Sequence, residues 1–120
     1  MSNAFAMAGP PPKSQRTYST EEQWTGEYWI DGKKIYRKII IDPSPSKTQH
    51  TIPINTTIDT LVDLRGIVHL TVGSTLAIPY NQGANYFTLF LVEGKEGVSV
   101  TGTFDPTSIV VISEYTKATE

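Results

Sequence analysis

Residues 27–41, Glu-Tyr-Trp-Ile-Asp-Gly-Lys-Lys-Ile-Tyr-Arg-Lys-Ile-Ile-Ile, carry the pattern that decides the fold. Asp31-Gly32 offers the positive φ angles of a two-residue hairpin turn, and the flanks read as two strands. Counting outward sets Ile30 opposite Lys33, Trp29 opposite Lys34, Tyr28 opposite Ile35 and Glu27 opposite Tyr36. One face then holds Tyr28, Ile30, Ile35, Ile39 and Ile41, and is the expected core side. The other holds Glu27, Trp29, Lys34, Tyr36 and Lys38, a mixed aromatic and basic surface. Trp29, Lys34, Tyr36 and Lys38 are therefore candidate residues of an exposed hairpin face.

Strand signals continue on both sides of this block. Upstream, Ser19-Thr20-Glu21-Glu22 fits a capping box, and Gly26 limits it to about one helical turn. Downstream, Asp42 to Thr48 is a loop, because Pro43 and Pro45 cannot sustain a ladder. Ile52 and Ile54 alternate around Pro53 in a short edge strand. Thr60 to Val72 is the longest strand, with Val62, Leu64, Val68 and Leu70 alternating with Asp63, Arg65 and His69, while Gly66 marks a bulge or close packing. Leu76, Ala77 and Ile78 make a short strand before Pro79. Residues 80–85, Tyr-Asn-Gln-Gly-Ala-Asn, read as an exposed loop. Residues 86–92, Tyr-Phe-Thr-Leu-Phe-Leu-Val, are apolar on both faces, as in a central strand. Val98–Phe104 and Ile109–Thr116 complete about seven or eight short strands. An all-β, antiparallel β-sandwich is the expected architecture.

Composition agrees. The chain holds 12 Ile, 8 Val and 16 Thr against 6 Ala and 6 Leu, which favours strands over helices. Its 120 residues fit one domain, expected over 18–120. Residues 1–17 read as a lead-in: Ser2-Asn3-Ala4 looks like the remnant of an expression tag, Met7 is a candidate natural start, and Pro10-Pro11-Pro12 opens a flexible, polyproline-like stretch. No run of about 18 apolar residues marks a membrane span, and no secretory leader is evident. Asn55-Thr56-Thr57 is a chance sequon in that setting.

Chemistry is sparse. With no cysteine, disulfides, thiolate zinc sites and cysteine catalysis are excluded. His50 and His69 are the only histidines, and no Gly-x-Ser-x-Gly elbow, Walker pattern or Gly-x-Gly-x-x-Gly is present. No cofactor, metal or catalytic residue is expected. A small polysaccharide hydrolase would have to use Asp59, Asp63 or Glu93, and solvated carboxylates are the better reading. Lys33, Lys34, Arg37 and Lys38 form the one basic cluster, but alternation splits it and the net charge is −2, so nucleic acid is not an expected partner. Tyr80 and Tyr86 lie beside Asn81, Gln82 and Asn85. Flat rings pack on sugar faces while amides bind hydroxyls, so these five are the candidate ligand-binding residues.

Two blocks resemble a known family. "YSTEEQWTGEYWIDGKKIYRKII" at 18–40 is similar to a block of bacteriophage and prophage tail-fibre or minor structural proteins. "VVISEYTKATE" at 110–120 resembles the closing strand of that family, and "IDTLVDLRGIVHL" at 58–70 its central strand with the Arg-Gly pair. "IPY" at 78–80 and "NYFTLFLV" at 85–92 fit in pattern, while 42–57 departs from it. The resemblance implies a β-sandwich module of the distal tail, made in the bacterial cytoplasm and placed in the virion tail. It further implies a homo-oligomer, a trimer first, joined to other tail proteins and touching the host cell surface, where polysaccharide is the partner that the five residues at 80–86 would suit. A capping or spacer domain with no ligand is the alternative.

Overall fold

The computed structural model describes residues 18–92, 94 and 97–118; the expected lead-in of residues 1–17 and Glu93 lie outside them. Among the described residues the chain forms nine strands: β1 (Gln23–Tyr28), β2 (Lys34–Ile41), β3 (His50–Pro53), β4 (Ile58–Leu70), β5 (Thr75–Ile78), β6 (Tyr80–Gln82), β7 (Asn85–Leu91), β8 (Gly97–Gly102) and β9 (Pro106–Lys117). They build two antiparallel sheets, one ordered β1-β2-β9-β4-β5 and the other β3-β8-β7-β6. The expected all-β, two-sheet architecture is the one observed.

The core lies between the sheets. Ile40, Val68, Ile109, Val111 and Tyr115 from the larger sheet meet Ile52, Phe87, Val98 and Val100 from the smaller one. Alternation along each strand supplies these inward positions and leaves the intervening ones to the outer faces. Gly66 marks where β4 and β5 approach closely: an added Cβ would sit 2.8 Å from Ile78 Cγ1 and 2.9 Å from the Val110 carbonyl oxygen. On the facing sheet, Gly102 opposes Phe87, and its missing side chain is the space that the Phe87 ring fills.

Three local expectations are corrected. The first hairpin turns over three residues, Ile30-Asp31-Gly32, not two. Trp29 N donates to Lys33 O at 2.8 Å, and Gly32 N donates back to Trp29 O at 2.9 Å, with Gly32 at φ 87°. That geometry is a type I turn closed by a left-handed glycine. The register consequently pairs Tyr28 with Lys34, and a shift between Trp24 and Tyr28 pairs Trp24 with Tyr36. Second, the expected core face of the hairpin holds only at Ile35, which is buried, and the face that enters the core between the sheets is the opposite one. Ile40 is buried with Tyr36 packed beside it, whereas Ile30 is 92%, Ile41 58% and Tyr28 52% exposed. The run Ile39-Ile40-Ile41 is apolar on both faces, so pairing with β9 decides which side turns in: Tyr36 lies opposite Tyr115, and Ile40 opposite Val111. Third, no helical turn forms at 19–22. The Ser19 hydroxyl does accept from Glu21 N at 2.9 Å, but Glu22 is drawn away to partners on β9.

Candidate functional site

Tyr80, Asn81, Gln82, Asn85 and Tyr86 lie together on a β-hairpin rather than on an exposed loop, a further correction. Gln82 pairs with Asn85, Asn81 with Tyr86, and Tyr80 with Phe87, around a two-residue Gly83-Ala84 turn. Gly83 N donates to Asn81 Oδ1 at 3.1 Å, which pins the asparagine side chain over the turn. Cross-strand partners share a face. Asn81 and Tyr86 therefore lie on one side, and Tyr80 and Phe87 on the other, where Tyr80 packs against the core. Asn81, Gln82 and Asn85 are exposed and Tyr86 is half-buried.

Beside this hairpin opens a cavity of about 430 Å³, bordered by residues 79–81 and 86–90. It exists because β6 is only three residues long while β7 has seven. Before Pro79 the chain belongs to the other sheet as β5, which leaves the second half of β7 without a strand on that side among the described residues. The lining carries no Asp, Glu, Lys, Arg or His. Rings and amides can therefore engage a neutral polar ligand or a peptide main chain there, whereas no group is placed for acid–base work.

The other candidate face does not assemble as expected. Trp29 flanks the turn of the first hairpin and closes it through its main chain. Lys34 lies over the Trp24 ring at 4.8 Å, and Lys117 lies over the Tyr36 ring at 4.2 Å. Lys38 points toward the core side, where its Nζ donates to Ile54 O at 2.6 Å, at the border of a second cavity of about 310 Å³. Lys33 bonds Asp59 at 2.8 Å, and Arg37 bonds Glu114 at 2.8 Å while stacking over Tyr18. The basic cluster is thus divided among separate internal contacts.

The two aspartates weighed for hydrolysis are likewise engaged, Asp59 with Lys33 and Asp63 with Arg65. Register shifts between Ile58 and Thr60 and between Leu61 and Asp63 break the simple alternation that relates them. Among the described residues no three His, Asp or Glu side chains converge in a metal-binding group, and no helix is long and apolar enough to cross a membrane. His69 is exposed and bonds Thr75 Oγ1 at 2.9 Å.

Sequence reasoning missed two polar centres. Glu22 accepts from the Tyr115 hydroxyl at 2.6 Å and from Lys117 Nζ at 2.7 Å. Burial pushes the Glu22 carboxyl up, but the bonds from Lys117 and Tyr115 outweigh it and hold the group below its ordinary value. Burial, and then the Glu22 charge, push the Tyr115 hydroxyl well up. The second centre joins the ends of the 42–50 connection. His50 Nε2 lies 2.5 Å from Asp42 Oδ2, and His50 Nδ1 lies 2.7 Å from Thr48 O. Both ring nitrogens face acceptors, so the protonated ring alone can donate to both. Burial disfavours that charge, but the Asp42 carboxylate and the Thr48 carbonyl raise the His50 pKa overall. Comparison with protein-family models, characterised proteins and solved structures finds no match to this chain.

Proposed function

We propose that this chain is a structural and adhesive module of a bacteriophage or prophage tail, part of a fibre or baseplate appendage in the virion. In this reading it associates with copies of itself, three being the number the resemblance implies, and joins other tail proteins. Its β6–β7 hairpin contacts polysaccharide on the host cell surface. The observation that carries the reading is the uncharged 430 Å³ cavity with Asn81 and Tyr86 paired on one face beside it. A half-buried ring next to an amide suits a sugar, whose faces are apolar and whose edges are hydroxyls. The all-β architecture and the similarity of residues 18–40 and 110–120 to tail proteins support the rest.

Titration of host cell-wall polysaccharide into the protein tests the adhesive part. Saturable binding is expected, weakened by Tyr86→Ala about tenfold or more, equivalent to about 1.4 kcal/mol. Binding that Tyr86→Ala and Asn81→Ala leave unchanged would remove this hairpin from the contact. A spacer role with no ligand is the second reading. It is favoured by Tyr80, whose ring packs against the core instead of toward a ligand.

A further inference from the structure

A sheet that ends in a bare strand pairs with complementary edges it meets, and sandwiches blunt such edges with proline, bulges, charges or short strands. Most edges here are blunted. β1 carries the register shift around Gly26, β3 ends on Pro53, and β5 has only four residues before Pro79. The remaining edge is different. β6 covers β7 only from Asn85 to Phe87, so Thr88–Leu91 pair with β8 on one side and with no described strand on the other. That segment, Thr-Leu-Phe-Leu, holds no charge, proline or glycine.

Backbone direction completes the picture. Val92 N donates to Gly97 O, and Thr103 N donates to Tyr86 O. Even-numbered residues of β7 therefore bond toward β8, and alternation turns the N–H and C=O of Leu89 and Leu91 to the open side. Leu89 and Leu91 send their side chains inward against the core, while Phe90 stands on the outer face, 49% exposed.

We propose that this edge is the site at which a second copy of the chain adds its own β7, antiparallel about a two-fold axis, so that the two four-stranded sheets become continuous. Identical antiparallel strands around a two-fold axis are self-complementary, so no other segment has to be supplied. The open residues also select the register. Leu89 bonds Leu91 of the second copy, Leu91 bonds its Leu89, and about four main-chain hydrogen bonds form. A slip by two residues in one direction would set Leu91 against Phe87, whose groups already pair with Tyr80, and in the other would leave Leu91 opposite its own equivalent as the one hydrogen-bonded pair among the described residues. In the selected register Phe90 faces its own equivalent across the axis as a close, non-hydrogen-bonded pair that buries two exposed rings. The uncharged lining removes the repulsion that two identical surfaces would otherwise meet. This inference rests on the self-association in the proposed function and changes its number from three copies to two; the second copy also fills the part of the cavity along Thr88–Phe90, which leaves polysaccharide the Asn81 and Tyr86 face.

Sedimentation equilibrium of the full chain, with Leu89→Pro and Phe90→Lys beside it, tests the interface. Proline at 89 removes an N–H directed at the open side and leaves the bonds to β8 in place. Phe90→Lys alters only an exposed side chain and adds a like charge on the axis, so it serves if the proline variant fails to fold. The expected result is the mass of two copies for the unmodified chain at about 50 µM, with the dissociation constant raised about tenfold or more in each folded variant. A dimer or a trimer that both changes leave intact would overturn this interface and keep self-association. A monomer at about 100 µM would overturn both.

Discussion

Two hairpins, the first formed by β1 and β2 and the second by β6 and β7, place aromatic residues in opposite chemical settings. Around β1 and β2, Trp24 meets Lys34, Tyr36 meets Lys117, and Tyr18 meets Arg37, each ring covered by a cation of the same chain. Around β6 and β7, Tyr80, Tyr86 and Phe90 border a cavity whose lining carries no charged side chain. In sequence the two regions look alike, each a mixture of aromatic and polar residues near a glycine turn. Their difference comes from strand length. β4 and β9 are 13 and 12 residues long and bring Asp59, Glu114 and Lys117 alongside the first hairpin, whereas β6 stops after three residues and leaves the second hairpin with an open flank. Among the described residues the first region is closed on itself, and the second half of β7 has a strand on one side alone.

The largest expected effect tests whether the second hairpin is part of the core or an appendage. Phe87 is 1% exposed and forms the floor of that region against Gly102. Phe87→Ala should lower unfolding free energy by about 3–5 kcal/mol in chemical denaturation. A cost below about 1 kcal/mol would mean that the hairpin is a surface attachment and would erase the contrast with the first.

Smaller effects come from the polar ties, and their pH dependences run in opposite directions. The Glu22 carboxyl is held below its ordinary value of 4.5, so its contribution is complete above that pH and is lost as pH falls through the lowered native value. Glu22→Gln should cost about 1.5–3 kcal/mol near neutrality, with the difference from the unmodified chain closing in acid. The His50 pKa is raised above 6.5, so its contribution is complete below that pH and is lost as pH rises through the raised native value. His50→Gln should cost about 1 kcal/mol at pH 5–6 and progressively less in alkali. Thermal midpoints recorded across pH check both signs; a parallel offset at every pH would show that neither tie depends on ionisation.

Much of the fold was legible because turn residues and β-branched runs mark strands locally. Ile52, Ile54, Leu64, Val68 and Leu70 occupy or border the core where alternation places them. The facing of the first hairpin was not legible. A two-residue and a three-residue turn at Asp31-Gly32 differ by one position, and one position exchanges the faces of a strand. With Ile39, Ile40 and Ile41 in a row, either choice looks apolar. β6 leaves no strand signal in the sequence, because three polar-flanked residues carry no usable periodicity. Of the candidate site, composition points to five residues that share one hairpin, yet only Tyr80, Asn81 and Tyr86 border the cavity, with Tyr80 on the opposite face from the other two. Glu22 was hidden, since its partners stand 93 and 95 positions away. The Asp42–His50 pair was equally hidden, since it depends on how the 42–50 connection closes.

Amide hydrogen exchange at Leu89 and Leu91, followed as protein concentration rises, tests most directly whether the second hairpin is the open one. In dilute protein these two amides should exchange fast while Thr88 and Phe90, bonded toward β8, stay protected. As copies associate, Leu89 and Leu91 should become protected together, and the amides of β1 and β2 should not change. Protection of Leu89 and Leu91 already complete in dilute monomer would contradict the account, because the edge would then be closed within the chain itself.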